Sequence, residues 1–531
     1  MSNKSNISRR NFIKSSVGVT AVSMMSGLFP FTASAINDRQ SESLSYSSDE
    51  KKYVLSGFAE IDITPDIGME EPGGYGKRFH KTLHDPCKAR AVVFDDGIKS
   101  VAMVGIDALL IPRHLVLSAR RKIEQKCKIN GDAILIAASH SHSSGPTGMI
   151  QPGEYDHANE LVKTLAYEKS SCADPKYLET VENAIVDAVF QAYNSRGESL
   201  MGVGKGIEDK VAFNRRFRMK DGTSITHPGQ GNPDIIEPAG PVDPEVGVIG
   251  VWDKNGKCTG CIVNYACHAT TNPGGISANW IFYMEQTIRG AMGPDCIVIF
   301  VPGANGDITQ VNNISPYKSP VGEDWTRFVG AQVGAEAVKV LLNMPRGAMI
   351  PIDSKIKILE LDRRAPSPSR VKKCYDMVKK TPAEVGPVEW IFAKEIVLLD
   401  AKLKKEPKEE VEVQSIQIGP AVFITNPAEF FCQLGLNIKK KSPFKYTFPV
   451  ELANGCVGYV PTVEAFGKGG GGYETRLTSY SNLEIQAGNK IVDAGVGLSH
   501  SMTPGIEPEF LKAPAYSGQP WSYGNVKPEL K

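Results

Sequence analysis

Ala133-Ile134-Leu135-Ile136-Ala137-Ala138-Ser139-His140-Ser141-His142-Ser143-Ser144-Gly145-Pro146 passes within fourteen residues from an unbroken apolar run to a loop of hydroxyls, two histidines and a Gly-Pro break. A short apolar run ended by such a loop reads as a strand buried on both faces. Upstream, residues 91–94 and 101–106 are runs of the same type, and residues 113–127, between 101–106 and 133–138, have helical spacing with basic residues late in the segment. Strand, helix and strand in that order form a βαβ unit. Residues 175–195 and 326–342 read as further helices, and residues 261–266 and 296–301 as further strands. The predicted fold class is therefore α/β, a mixed or parallel sheet with helices packed on it. In the second half, residues 370–380 and 387–405 read as charged helices and residues 410–424 as paired strands.

The histidines carry the first chemical signal. Two residues apart in extended chain, His140 and His142 point to the same side. They sit where a strand leaves its sheet, the usual place for ligands in α/β proteins, and neutral imidazole is the commonest metal ligand. The competing reading is a polar turn with two solvated histidines. A second strand, residues 262–267, ends in His268-Ala269-Thr270-Thr271, and a third, residues 296–301, ends in Pro302-Gly303-Ala304-Asn305-Gly306-Asp307-Ile308-Thr309. Three strand ends thus deliver ionisable or hydroxyl groups to one candidate crevice.

The N-terminus and the composition bound what such a site could serve. Ser8-Arg9-Arg10-Asn11-Phe12-Ile13-Lys14, an apolar small-residue stretch at 17–31, and Ala33-Ser34-Ala35 form the three parts of a twin-arginine signal peptide over residues 1–35. The apolar stretch is shorter than the roughly 20 residues that span a bilayer. The expectation is export by the twin-arginine machinery to the periplasm or beyond, with no membrane span. A polar linker over residues 36–50 and a single catalytic domain over 51–531 complete the expected organisation. Net charge is +1, with acids and bases mixed, so no global basic footprint for nucleic acid is present. Ten cysteines show no disulfide framework; Cys258 and Cys261 follow a hairpin-type Asp253-Lys254-Asn255-Gly256 and read as strand cysteines. Gly467-Lys468-Gly469-Gly470-Gly471-Gly472 cannot join a regular element, lacks the ending of a phosphate loop, and reads as a mobile lid beside a site.

The order of these motifs resembles the catalytic domain of the neutral and alkaline, non-lysosomal ceramidases. Gly57-Phe58-Ala59-Glu60-Ile61-Asp62-Ile63-Thr64-Pro65, Gly74-Tyr75-Gly76 and Arg90-Ala91-Val92-Val93 are similar to that family's first strands. His140 with His142, His268, Gly306-Asp307-Ile308-Thr309, Asn426-Pro427-Ala428-Glu429-Phe430 and Gly458-Tyr459-Val460-Pro461-Thr462 match its later motifs in order, over residues 55–473. The resemblance implies a ceramidase-like catalytic domain with zinc held by His140, His268, Glu429 and Tyr459. It implies His142 as a proton handler, Arg215 facing the substrate, and Thr309 at the position of a catalytic serine. Two imidazoles, a carboxylate and a phenol oxygen leave room for water on zinc. Taken singly, Glu429 could instead cap a helix beginning at Phe430, and Tyr459 could be an ordinary sheet aromatic.

The chain departs from that pattern at Thr309, a stiffer β-branched hydroxyl followed by Gln310, and the expectation is a catalytic domain without the family's C-terminal β domain. Arg215-Arg216-Phe217-Arg218-Met219-Lys220 concentrates positive charge suited to a carboxylate or sulfate. These departures direct the sequence reading to an anionic oligosaccharide substrate. The chain on that reading is similar to the dehydratases with which marine bacteria process ulvan oligosaccharides, lyases that form an unsaturated uronate. Tyr459 or His142 would take the proton alpha to the carboxylate, with Arg215, Arg216 and Tyr473 binding substrate. The alternatives are hydrolysis of the N-acyl bond of ceramide or a related lipid amide, and a non-catalytic sugar- or lipid-binding protein.

Overall fold

The computed structural model describes residues 54–531 apart from 318–319, 511, 519–522 and 524–525. The twin-arginine segment and the linker expected after it lie outside the described residues. In chain order the strands are β1 (Val54–Asp62), β2 (Lys88–Asp95), β3 (Ser100–Ile106), β4 (Ile134–Ala138), β5 (Gly197–Ile207), β6 (Phe213–Asn214), β7 (Arg216–Met219), β8 (Ser224–Thr226), β9 (Ile235–Pro238) and β10 (Glu245–Asp253). There follow β11 (Cys258–Tyr265), β12 (Ile297–Pro302), β13 (Ile308–Thr309), β14 (Ile352–Asp362), β15 (Lys408–Ile418), β16 (Ala421–Thr425), β17 (Glu429–Phe430), β18 (Tyr446–Val450) and β19 (Tyr459–Val460).

Eight strands form the main sheet in the order β12-β11-β10-β5-β1-β2-β3-β4. β3 and β4 pair in parallel, as do β11 and β12, and the other neighbours are antiparallel. The sheet is mixed, as expected, with fewer parallel pairs than a run of βαβ units would give. Helix Arg113–Cys127 makes the β3-to-β4 crossover, burying Leu115, Val116, Ala119 and Ile123. Its buried Arg120 donates to Glu412 on β15 at 2.8 and 3.0 Å, fixing helix to strand by a charge-assisted fork. Helix Pro175–Asn194 begins at an Asp174 cap and also covers this sheet. The second sheet, β14-β15-β16-β18, shares an apolar core with the first through Ile416, Phe423 and Phe448.

β4 and β12 stand at opposite ends of the strand order, yet the sheet curls until these edges approach. A Cβ on Gly105 in β3 would lie 2.5 Å from the Phe300 carbonyl oxygen in β12, a contact that glycine alone permits. The segment after β18 fills the seam. Glu451 N donates to Pro302 O (3.1 Å), while Leu452 O accepts from Ala138 N (3.1 Å) and Asn454 N donates to Ile136 O (2.8 Å). Edge groups that would otherwise be unpaired are thereby satisfied. The loops leaving β4 and β11 then run side by side, with His142 N donating to Ala269 O at 3.2 Å. Among the described residues no helix is long and apolar enough to cross a membrane.

Candidate metal centre and active site

His140 follows β4 at φ +62°, a left-handed conformation that costs a residue with a Cβ about 1 kcal/mol. Its Nδ1 donates to Leu109 O at 2.9 Å. His268 lies three residues beyond β11, and its Nδ1 donates to Asn305 O at 2.7 Å. A carbonyl accepts only, so each Nδ1 carries the proton and each Nε2 keeps its lone pair. Both lone pairs face Glu429, whose Oε2 is 3.2 Å from His140 Nε2 and 3.3 Å from His268 Nε2.

That carboxylate oxygen is buried and has no hydrogen-bond donor. Three electron-pair donors therefore oppose one another within 4.8 Å, all buried. The set is repulsive by itself and favourable around a cation; two imidazole nitrogens and a carboxylate suit a divalent metal. Burial, then the Arg215 charge, lowers the His268 pKa to about 3, so the ring is neutral and free to ligate. Tyr459 stands directly opposite Glu429 in the β17/β19 ladder. Burial, then the Glu429 charge, pushes its phenol well above the ordinary range. Gly458 makes that placement possible: its φ is +70°, and a Cβ there would lie 2.3 Å from Tyr480 O.

Other groups close over the trio. His142 Nε2 is 3.2 Å from His140 Nε2, with the two rings edge to face. Burial, then the neighbouring His140 and His268, holds His142 well below its ordinary pKa. Arg215 spans the site, with Nη1 3.2 Å from His268 Nε2, Nη2 donating to Gly306 O at 2.8 Å and Nε donating to Glu474 Oε1 at 2.7 Å. Its guanidinium lies 5.3 Å from the Tyr459 ring centre. Tyr473 packs on Tyr459 with centroids 5.4 Å apart, and its hydroxyl is 3.3 Å from that of Tyr75. Thr309 is buried in β13; its Oγ1 accepts the Val311 N–H at 3.2 Å, a bond internal to the following turn.

Arg216 is not brought to the trio. As the next residue on extended chain it turns away from Arg215, and its Nη2 donates to Gly471 O at 2.6 Å. Arg218 and Lys220 are exposed and lie beside Glu237 and Asp234 at 3.5 and 3.6 Å. The basic run expected to form one substrate-facing patch is thus divided, with Arg215 alone at the metal candidates. The glycine-rich loop is docked rather than free: Ser224 N and Oγ donate to Gly470 O and Gly469 O at 3.0 and 2.7 Å. The competing reading, in which Glu429 caps a helix beginning at Phe430, does not hold: Glu429 and Phe430 form strand β17, and the helix begins at Cys432.

Three further residues, to which the sequence reading gave no role at the site, stand around it. Glu474, fully buried, holds Arg215 and accepts from Thr226 Oγ1. Glu451 accepts from Asn305 N and Phe430 N at 2.9 and 2.8 Å, bracing the segments that carry the His268 partner and Glu429. Tyr75 contacts Tyr473. Glu451 and Tyr75 come from segments without periodicity and Glu474 from a single 3-10 turn; the available signals were the Gly74-Tyr75-Gly76 motif and an acid directly after Gly472-Tyr473.

Over 326 residues the chain is 22% identical to the neutral ceramidase of Pseudomonas aeruginosa, a match covering 58% of this chain and 45% of that protein. The chain thus matches less than half the length of that relative. The crystal structure of the P. aeruginosa neutral ceramidase superposes with a TM-score of 0.62 at 18% identity, covering 87% of this chain and 77% of that one. The fold is that of neutral ceramidase. A ceramidase complexed with C2 gives the same TM-score and identity, over 86% and 78% of the two chains. No model of a known protein family matches the chain.

Proposed function

We propose that this chain is a zinc-dependent hydrolase that cleaves the N-acyl bond of a ceramide or related lipid amide. The observation that carries the reading is the inward-facing His140, His268 and Glu429 set, in a chain with both the fold of neutral ceramidase and sequence similarity to it. His140, His268 and Glu429 would hold the ion, with Tyr459 beside them. A zinc ion there supplies Lewis acidity and lowers the pKa of water. Arg215, held by Glu474 and Gly306 O, would stabilise negative charge developing on the substrate oxygen. His142, neutral in its buried setting, takes and returns a proton at Nε2. By the resemblance Thr309 takes the position of the catalytic serine, and its hydroxyl would assist there. The test is release of free fatty acid from a fluorescent short-chain ceramide. Activity should vanish on chelation, return with zinc, and fall at least about 10-fold in Thr309→Ala if the hydroxyl takes part. Absence of fatty acid release by zinc-loaded protein would refute the reading.

Arg215 favours a second reading. A guanidinium 3.2 Å from a metal-facing imidazole nitrogen suits a substrate carboxylate. On that reading the same site dehydrates a uronate-bearing oligosaccharide as a carbon–oxygen lyase, with Tyr459 or His142 removing the alpha proton and Tyr473 contacting the sugar. Ultraviolet absorbance of an unsaturated uronate should then grow when enzyme meets uronate oligomers, and a flat trace across a broad panel would end it. Export by the twin-arginine route, read from residues 1–35, would place either activity outside the cytoplasm.

A further inference from the structure

Cys258 and Cys261 stand three residues apart on β11, a spacing that on a regular strand sends side chains to opposite faces. Here the strand carries a bulge: Val251 on β10 pairs with Gly260 but Trp252 with Cys258, leaving Thr259 as an extra residue. Both cysteines are thereby turned into one core, together with Trp252, Ile288 and a third cysteine, Cys296. Cys296 immediately precedes β12, which runs parallel to β11 with Gly260 opposite Ile297. Its backbone is pinned on both sides, N donating to Gly293 O at 3.1 Å and O accepting from Arg289 Nε at 2.9 Å. Cys258 Sγ consequently lies 3.5 Å from Cys296 Sγ.

Thiols are weak donors and acceptors, so mutual hydrogen bonding gives little reason for this convergence. Adjacent strands lie about 4.8 Å apart, inside the Cα range that a disulfide spans. From their present separation the two sulfurs need approach by only about 1.5 Å to reach bonding distance. The pair also sits just beneath the surface. Lys257 and Asp295, the residues before the two cysteines, are exposed and joined at 2.7 Å, so local opening of the strand ends admits a small oxidant.

We propose that Cys258 and Cys296 form a disulfide that staples the start of β11 to the start of β12. Each thiol gives up its proton and one electron as the S–S bond forms. The two protons and two electrons pass to an external disulfide, whose own S–S bond breaks to leave two thiols. Cys261 stays a thiol. The consequence lies at the far end of the same strands: β11 leads to His268 and β12 to Asn305, whose carbonyl holds His268 Nδ1. The staple fixes the register of the two strands that aim this ring. Export, proposed above, would bring the thiols to a compartment where disulfides form and persist.

Contact with Cys296, then burial, raises the Cys258 thiol far above its ordinary range, so exchange is best run under alkaline conditions. The test incubates the folded full chain with oxidised glutathione at about pH 8.5, in urea below the unfolding midpoint. Remaining thiols are then blocked with iodoacetamide and linked peptides mapped by mass spectrometry. The expected product is a single linkage, Cys258 to Cys296, two hydrogens lighter than the reduced pair. Reduction should then lower the melting temperature by about 4 °C in wild type and leave that of Cys258→Ala unchanged. Linkage of Cys296 to Cys261, no linkage at all, or a wild-type melting temperature indifferent to reduction would overturn the inference. The mapping uses wild-type protein, so it decides even where the variant fails to fold. Neither readout involves zinc or turnover, so the staple and the proposed hydrolase stand or fall separately.

Discussion

His268 shows how one contact sets both chemistry and stability. The Asn305 carbonyl fixes its tautomer, and its pKa falls from 6.5 to about 3, with burial as the first cause and Arg215 as the second. An imidazole whose folded pKa lies below its unfolded value binds protons less readily when folded. Its stabilising share is therefore complete above about pH 6.5 and is lost as the pH falls toward 3. Urea midpoints of metal-free protein should drop as pH falls below about 6.5, and drop less steeply in His268→Gln; parallel slopes would contradict the assignment. At Glu474 the consequence is electrostatic. Removing its charge leaves Arg215 buried and uncompensated, and Glu474→Gln should destabilise by about 3 kcal/mol in chemical denaturation. The sequence motifs point to His140, His268 and Glu429, and the structure brings these three together; His142 and Tyr459, from the same motifs, stand beside them. Arg216 lies away from the trio because consecutive residues on a strand face opposite ways, so a basic run in sequence is not a basic patch in space.

Among the elements, glycine sets the tolerances of the site. A Cβ on Gly306 would meet Glu429 O at 2.4 Å, and backbone at that distance cannot yield without moving β17. Gly306→Ala should weaken zinc affinity at least about 10-fold, with an overpacking cost of about 1–3 kcal/mol, both measurable by titration and denaturation. Gly73, at φ +95°, would place a Cβ 2.2 Å from His142 Nδ1. Gly73→Ala should therefore displace His142, the proposed proton handler, lowering kcat while leaving zinc content near wild type. The helices at Arg113–Cys127 and Pro387–Lys405 lie where the sequence reading put them, since length, Pro and apolar spacing all agree there. The two-residue strands β6, β13, β17 and β19 carry Arg215's neighbour, Thr309, Glu429 and Tyr459, yet two residues hold no periodicity to detect.

For the molecule as a whole, what the sequence could not disclose is the curl that brings the β4 and β12 edges together. It depends on pairings across hundreds of residues, such as Asn454 with Ile136, and on close approaches such as that at Gly105. That closure brings together His140, His268 and Glu429 from the ends of β4 and β11 and from β17, a set that could hold a metal, so a bound ion would join segments distant in the chain. The most direct measurement is the metal content of purified protein, by plasma mass spectrometry, beside a His140→Ala/His268→Ala variant. The account predicts near one zinc per chain in the wild type and none in the variant, with a melting temperature that falls on chelation only in the wild type. Wild-type protein that neither contains zinc nor takes it up when offered, while folded and monodisperse, would contradict it.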